Sequence, residues 1–162
     1  MERFFNIIHY ILFKGFSRLF MYLFKPLFKI YKIPMVKRYS EKKGINPEEE
    51  VRKVFFQKEG GFSIMYAGGM ISIFTGTFFL VLTNVYCILF YKIIDVHFIC
   101  IVIIFILSYG INHYLVFKND KYLNYFEEFD KKSKIWKRVW ALITLGLIIG
   151  IPFFWGITIT LL

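Results

Sequence analysis

A chain of 162 residues with 57% hydrophobic and 22% aromatic side chains carries more apolar surface than a soluble domain of this length can cover, so a bilayer is its expected solvent. A net charge of +10 suits either nucleic acid or an anionic membrane, and the placement of the cations, described below, excludes nucleic acid. Cys87 and Cys100 are too few for a disulfide framework and lack the spacing of a metal-binding C-x-x-C pair.

Residues 1–34 form the first predicted element, with YILFKGFSRLFMYLFKPLFKIYK at 10–32. At 100° per residue, Arg3, Lys14, Arg18, Lys25, Lys29 and Lys32 fall within an arc of about 80°, and Phe, Leu, Ile, Met and Tyr fill most of the rest. A narrow cationic stripe on a broad apolar helix predicts an amphipathic helix lying in the interface, its cations binding anionic lipids. Spanning would instead hold Lys14 and Arg18 near mid-bilayer, at about 2.5–3.5 kcal/mol each. Pro26 is expected to kink or restart the helix, because it removes a backbone donor. A secretory signal is excluded, since Lys14 interrupts the apolar region and no small-residue cleavage site follows. A mitochondrial presequence is the alternative, against which stand Lys and Phe where Arg and Ser would be usual.

Residues 35–61 read as a cytoplasmic linker and a short helix. VKRYSEKKG is charged and linker-like. NPEEEVRKVF carries a helix start: Asn46 as N-cap, Pro47 at the first helical position, and Glu48, Glu49 and Glu50 beside the positive end of the dipole. Gly60 and Gly61 end this segment.

Residues 62–117 are expected to form a transmembrane hairpin, with spans at about 65–91 and 96–117. No Asp, Glu, Lys or Arg occurs in 60–91, in 96–117 or in 139–162, and each run reaches the roughly 20 residues a span requires. In the first span Gly68, Ser72 and Gly76 recur every four residues, a spacing that lets helices approach closely, and Asn84 is expected to seek a partner in the same interface. A tight hairpin would make Cys87 and Cys100 neighbours, acting as small packing residues.

Residues 118–138 form a cytoplasmic loop with helical character, in which Tyr122, Tyr125, Phe126 and Phe129 share one face. That face packs on the chain itself or on the membrane, or else docks a partner protein. The third span, 139–162, has Gly146 and Gly150 four apart and Pro152 as an expected kink.

Charge orients these spans. Thirteen Lys and Arg precede the first, seven lie in 118–138, and only Lys92 falls on the opposite side. The positive-inside rule then puts the N-terminus in the cytoplasm and the C-terminus outside. The predicted class is an all-α integral membrane protein with three transmembrane helices, an N-terminal interfacial helix and short cytoplasmic helices. A bacterial inner membrane is the expected location, with the mitochondrial inner membrane as alternative.

Chemistry is sparse. His9, His97 and His113 are far apart, no span holds an acid that would complete a metal site or relay, and neither a P-loop nor G-x-S-x-G occurs. No cofactor and no enzymatic activity are expected. Without an intramembrane charge or an internal repeat, a transporter is disfavoured. The expected function is contact with lipids and with a membrane-protein partner or a second copy, as an accessory subunit or an immunity-type protein. The alternative is a pore-forming effector that oligomerises through its glycine faces.

Overall fold

The computed structural model describes residues 1–30, 33–44, 46–91 and 98–160. All the regular structure among the described residues is helical: α1 (Glu2–Ile30), α2 (Pro34–Lys42), α3 (Pro47–Phe56), α4 (Phe62–Tyr91), α5 (Phe98–Asn112), α6 (Lys121–Asp130) and α7 (Lys134–Thr160). A π-turn, His113–Phe117, continues α5, and a 3-10 turn, Lys118–Asp120, leads into α6.

Sequence signals account for most of the boundaries. Asn46 caps α3 by accepting the Glu48 N–H at 3.2 Å, with Pro47 at the first helical position and three glutamates in the first turn. The chain then reverses through Gly60, at φ 95°, and Gly61, where a Cβ would lie 2.5 Å from the Gln57 carbonyl oxygen. Only glycine fits Gly61 in that turn. Asn119 and Asp120 are left-handed, at φ 59° and 51°, which short polar side chains tolerate. Ser133 caps α7 by accepting the Trp136 N–H, and Lys137 donates to the terminal carbonyl of α6 at Asp130.

Both internal prolines, Pro26 and Pro152, lie within continuous helices. Pro26 and Tyr22, whose carbonyl loses its donor, both lie on the exposed side of α1, where outside donors can serve that oxygen.

Four helical stretches are long and apolar enough to cross a membrane: Glu2–Pro26, Phe62–Phe90, Phe98–Asp130 and Lys134–Ile159. The sequence predicts three. The additional one is α1, the least apolar of the set.

The chain divides into two compact units. One comprises Met1–Ile11 with Gly68–Leu162; the other is Leu12–Ala67. In the first, α4 and α5 run antiparallel: Gly68 meets Phe117, Thr75 meets Asn112, and Gly76 meets Phe105. Its core holds Tyr10, Val116, Tyr122, Phe126 and Phe129, all buried. In the second, Phe16, Phe20 and Phe24 recur on one side of α1. They form ring contacts with Tyr66 and Phe55, and Phe55 also meets Phe62. Ser63, fully buried, donates to the Phe55 carbonyl at 2.6 Å and ties the end of α3 to the start of α4.

Candidate functional site

The polar chemistry of the first unit concentrates where the start of α1 meets α6. Glu2 accepts from Lys121 Nζ at 2.9 Å and from the Tyr125 hydroxyl at 3.2 Å. Arg3 pairs with Glu128 at 2.6 Å, and Lys132 joins the same carboxylate at 3.3 Å. One turn further, Asn6 Nδ2 donates to the Leu115 carbonyl at 3.1 Å, a π-turn oxygen. The Tyr10 hydroxyl donates to Asp130 at 2.8 Å. His9 lies buried with ring contacts to Phe117, Tyr122 and Phe126, at centroid distances of 5.1 to 5.6 Å. Residues 2, 3, 6, 9 and 10 are one face of a helix, so a single surface of α1 makes the whole latch.

The hydrogen bond from Lys121 holds the Glu2 carboxyl below its ordinary value, and the same bond raises Lys121. Burial pushes the Tyr125 hydroxyl up, and its bond to Glu2 adds to the effect. Glu2, Lys121, Asn124, Tyr125 and Glu128 line a shallow, open hollow of about 320 Å³. Its charges are already paired with one another, which makes it a fastening between helices.

The aromatic face of α6, expected to pack on the chain itself or the membrane or else to dock a partner, turns inward. Tyr122, Phe126 and Phe129 are buried, and Phe126 and Phe129 take the ring of Tyr10. Tyr125 is half-buried and engaged with Glu2. The start of α1 covers this face because aromatic rings of that size gain about 1.5–3 kcal/mol each when removed from water.

The small residues of α4 are also in use. A Cβ on Gly68 would fall 2.5 Å from Phe117 Cζ, and one on Gly76 would fall 2.6 Å from Phe105 Cδ1. Between them Asn112, buried, donates from Nδ2 to Thr75 Oγ1 at 3.3 Å, to Ser72 Oγ at 3.4 Å and to the Ser108 carbonyl at 2.9 Å. The amide that joins α4 to α5 is thus Asn112, while Asn84 is buried further along α4. Sequence reasoning missed Asn112 and Asn6 as packing residues. For Asn112 the signal was an amide in an otherwise apolar helix, with Ser108 one turn before it.

Gly146 and Gly150 share the spacing but not the environment. A Cβ on either would meet nothing within 4 Å, and α7 exposes Leu142, Ile143, Leu145, Ile149, Phe153 and Phe154. Cys87 is half-buried and Cys100 exposed, both as free thiols.

Of the six cations expected to bind lipid, Arg3 is engaged with Glu128 and Lys14 is half-buried. Arg18, Lys25 and Lys29 are exposed, with no acidic partner among the described residues. Lys32 lies outside the described residues, as do Lys92, Asp95 and His97. In the second unit these cations lie with exposed Tyr22 on the side of α1 away from Phe16, Phe20 and Phe24, and exposed Leu19, Leu23 and Ile30 lie between the two faces. No protein-family model matches the chain, and no curated protein or solved structure matches it.

Proposed function

We propose that this is a three-span membrane protein with α1 in the interface, and that it acts without catalysis by contact with anionic lipid and a partner membrane protein. The spans are α4, α5 and α7. Exposed Arg18, Lys25 and Lys29 argue against α1 as a fourth, since a span would hold Arg18 in hydrocarbon.

Parity supplies a second argument. Phe117 at the end of α5 packs over Gly68 near the start of α4, so these helix ends share one membrane face with α6. Glu2 and Arg3 are paired to α6, which puts the start of α1 on that face too. Phe62, six residues before Gly68, begins α4 on the same side. The intervening chain therefore starts and finishes on one face, and a single crossing by α1 would leave it on the other. A compensating second crossing would have to use α2 or α3, of 9 and 10 residues, too short for about 30 Å of hydrocarbon.

The observation that carries the contact function is the difference between the two glycine pairs. Gly68 and Gly76 are occupied within the chain, whereas Gly146 and Gly150 lie open on α7, available to a neighbouring helix. The reading is an accessory subunit or an immunity-type protein of the bacterial inner membrane, N-terminus in and C-terminus out, with the mitochondrial inner membrane as the alternative site. Two tests address it. Single cysteines replacing Lys29 and Lys134 should be modified from the same side of sealed membranes; modification from opposite sides would remove the three-span arrangement. Photocrosslinking from Ile149 in native membranes should yield one defined adduct. A self-adduct ladder with loss of membrane potential would favour a pore-forming effector instead.

A further inference from the structure

Helix α2 buries none of its side chains. It has nine residues, with Met35 82% exposed and Tyr39 61% exposed. Isolated helices shorter than about 12–15 residues are marginal in water, and helices in proteins are held mainly by tertiary packing of an apolar face. Such a face exists here. At 100° per residue Met35, Val36 and Tyr39 fall within about 100° of one another. Arg38 and Lys42 border one edge of it, and Lys43, whose Nζ lies 4.8 Å from the Tyr39 ring centroid, borders the other. The single acid, Glu41, lies on the opposite side, 3.8 Å from Lys37. The charges next to the apolar face are therefore all positive.

We propose that α2 is a second interfacial anchor, in which Met35, Val36 and Tyr39 enter an anionic leaflet and Arg38, Lys42 and Lys43 engage its headgroup phosphates. The proposal rests on the interfacial placement of α1. Charge complementarity selects the occupant, since three cations flank the face and the only acid points away. The chain supplies proximity as well: α2 begins four residues after α1 ends, so it cannot leave the vicinity of the bilayer. The bilayer provides the apolar medium that the rest of the chain does not, and the helix gains its stability on docking. The segment that reads as a mobile linker thus becomes a lipid-charge-dependent foot.

The test uses the full chain in nanodiscs of phosphatidylcholine with or without phosphatidylglycerol. In a Cys87→Ser, Cys100→Ser background, an environment-sensitive fluorophore is attached at Met35→Cys, Tyr39→Cys, Glu41→Cys or Leu23→Cys. With phosphatidylglycerol, positions 35 and 39 should be dry and quenched by nitroxide-bearing lipid, and position 41 should stay wet. Removing the anionic lipid, or changing Arg38, Lys42 and Lys43 together to Gln, should shift the docking equilibrium at 35 and 39 by about 100-fold, from about 1 kcal/mol for each cation. Wet signals at 35 and 39 in anionic discs, with Leu23 dry, overturn the proposal while leaving α1 in the interface. A wet Leu23 removes the placement of α1 itself. Dry signals that nitroxide lipid does not quench mean that protein covers the face, which also overturns the proposal.

Discussion

Alanine in place of Gly68 and in place of Gly146 should have different consequences, although the two glycines look alike in sequence. At Gly68 the new methyl would lie 2.5 Å from Phe117 Cζ and 2.8 Å from Cε2, well inside contact distance. Phe117 cannot easily yield, because its ring is flanked by His9 at 5.1 Å and Tyr122 at 5.5 Å. Overpacking of this kind costs about 1–3 kcal/mol. At Gly146 the methyl meets nothing within 4 Å. The intrinsic helix gain of Ala over Gly, up to about 1 kcal/mol, applies to both sites and cancels in the comparison. Gly68→Ala should therefore be less stable than Gly146→Ala by about 1–3 kcal/mol, or about 5- to 150-fold in the unfolding constant. Reversible unfolding of the reconstituted chain, followed by tryptophan fluorescence, measures the difference. Equal stabilities within about 0.5 kcal/mol would refute the close approach of Phe117 to α4. If Gly146→Ala alone loses stability, and does so in a concentration-dependent way, α7 packs against a second copy.

The remaining expectations concern the latch and the seam. Phe126→Ala should cost about 3–5 kcal/mol, since the ring is fully buried, and hydrogen exchange should rise together in residues 1–11 and in α6. Asn112→Leu should cost only about 0.6–1.7 kcal/mol by the same unfolding assay, the range for hydrogen bonds between helices in lipid, and a much larger loss would mean that Asn112 has a second role. The latch should also depend on pH in a defined direction. Glu2 titrates below its ordinary value of 4.5, so its contribution is complete above that pH and is lost as pH falls through the lowered value. Lys121 is raised above 10.5, so its contribution is complete below that pH and is lost as pH rises through the raised value. Spin-label distances between residues 4 and 124 should stay constant between those limits and broaden on the acid side; in Glu2→Gln the acid broadening should vanish.

Local structure was legible wherever one residue's chemistry decides it. The Asn46 cap, the Pro47 start and the glycine reversal at 60–61 follow from backbone requirements that no distant contact alters. The long apolar helices were equally plain, apart from α1, which also reaches a membrane-spanning length. What the sequence could not reveal was pairing. Gly68 and Gly146 have the same spacing, and only the rings of Phe117 and Phe105 on another helix make one pair occupied and the other open. A helical wheel displays the cationic stripe of α1. It says nothing of the Phe55 and Tyr66 rings that take up the opposite face, or of Glu128 claiming Arg3. For the same reason the sequence leaves the aromatic face of α6 open between internal packing, the membrane and a docked partner, until the start of α1 is seen to cover it.

The π-turn at His113–Phe117 solves a problem of rotational phase. Asn112 must face α4 to reach Ser72 and Thr75, and Phe117, five residues later, must face α4 to lie over Gly68. In an unbroken α-helix residues five apart point about 140° away from each other, so one of the two contacts would be lost. Widening the turn to i→i+5 bonding brings both onto nearly the same side. It also leaves the Leu115 carbonyl accepting from Asn6. The turn is thus equivalent to one residue inserted into an α-helix. Deleting one residue from 113–116 would let it relax to α with Asn112 and the Phe117 ring four apart, about 40° from each other, so the helix seam should survive while the widened turn that offers the Leu115 carbonyl to Asn6 is lost.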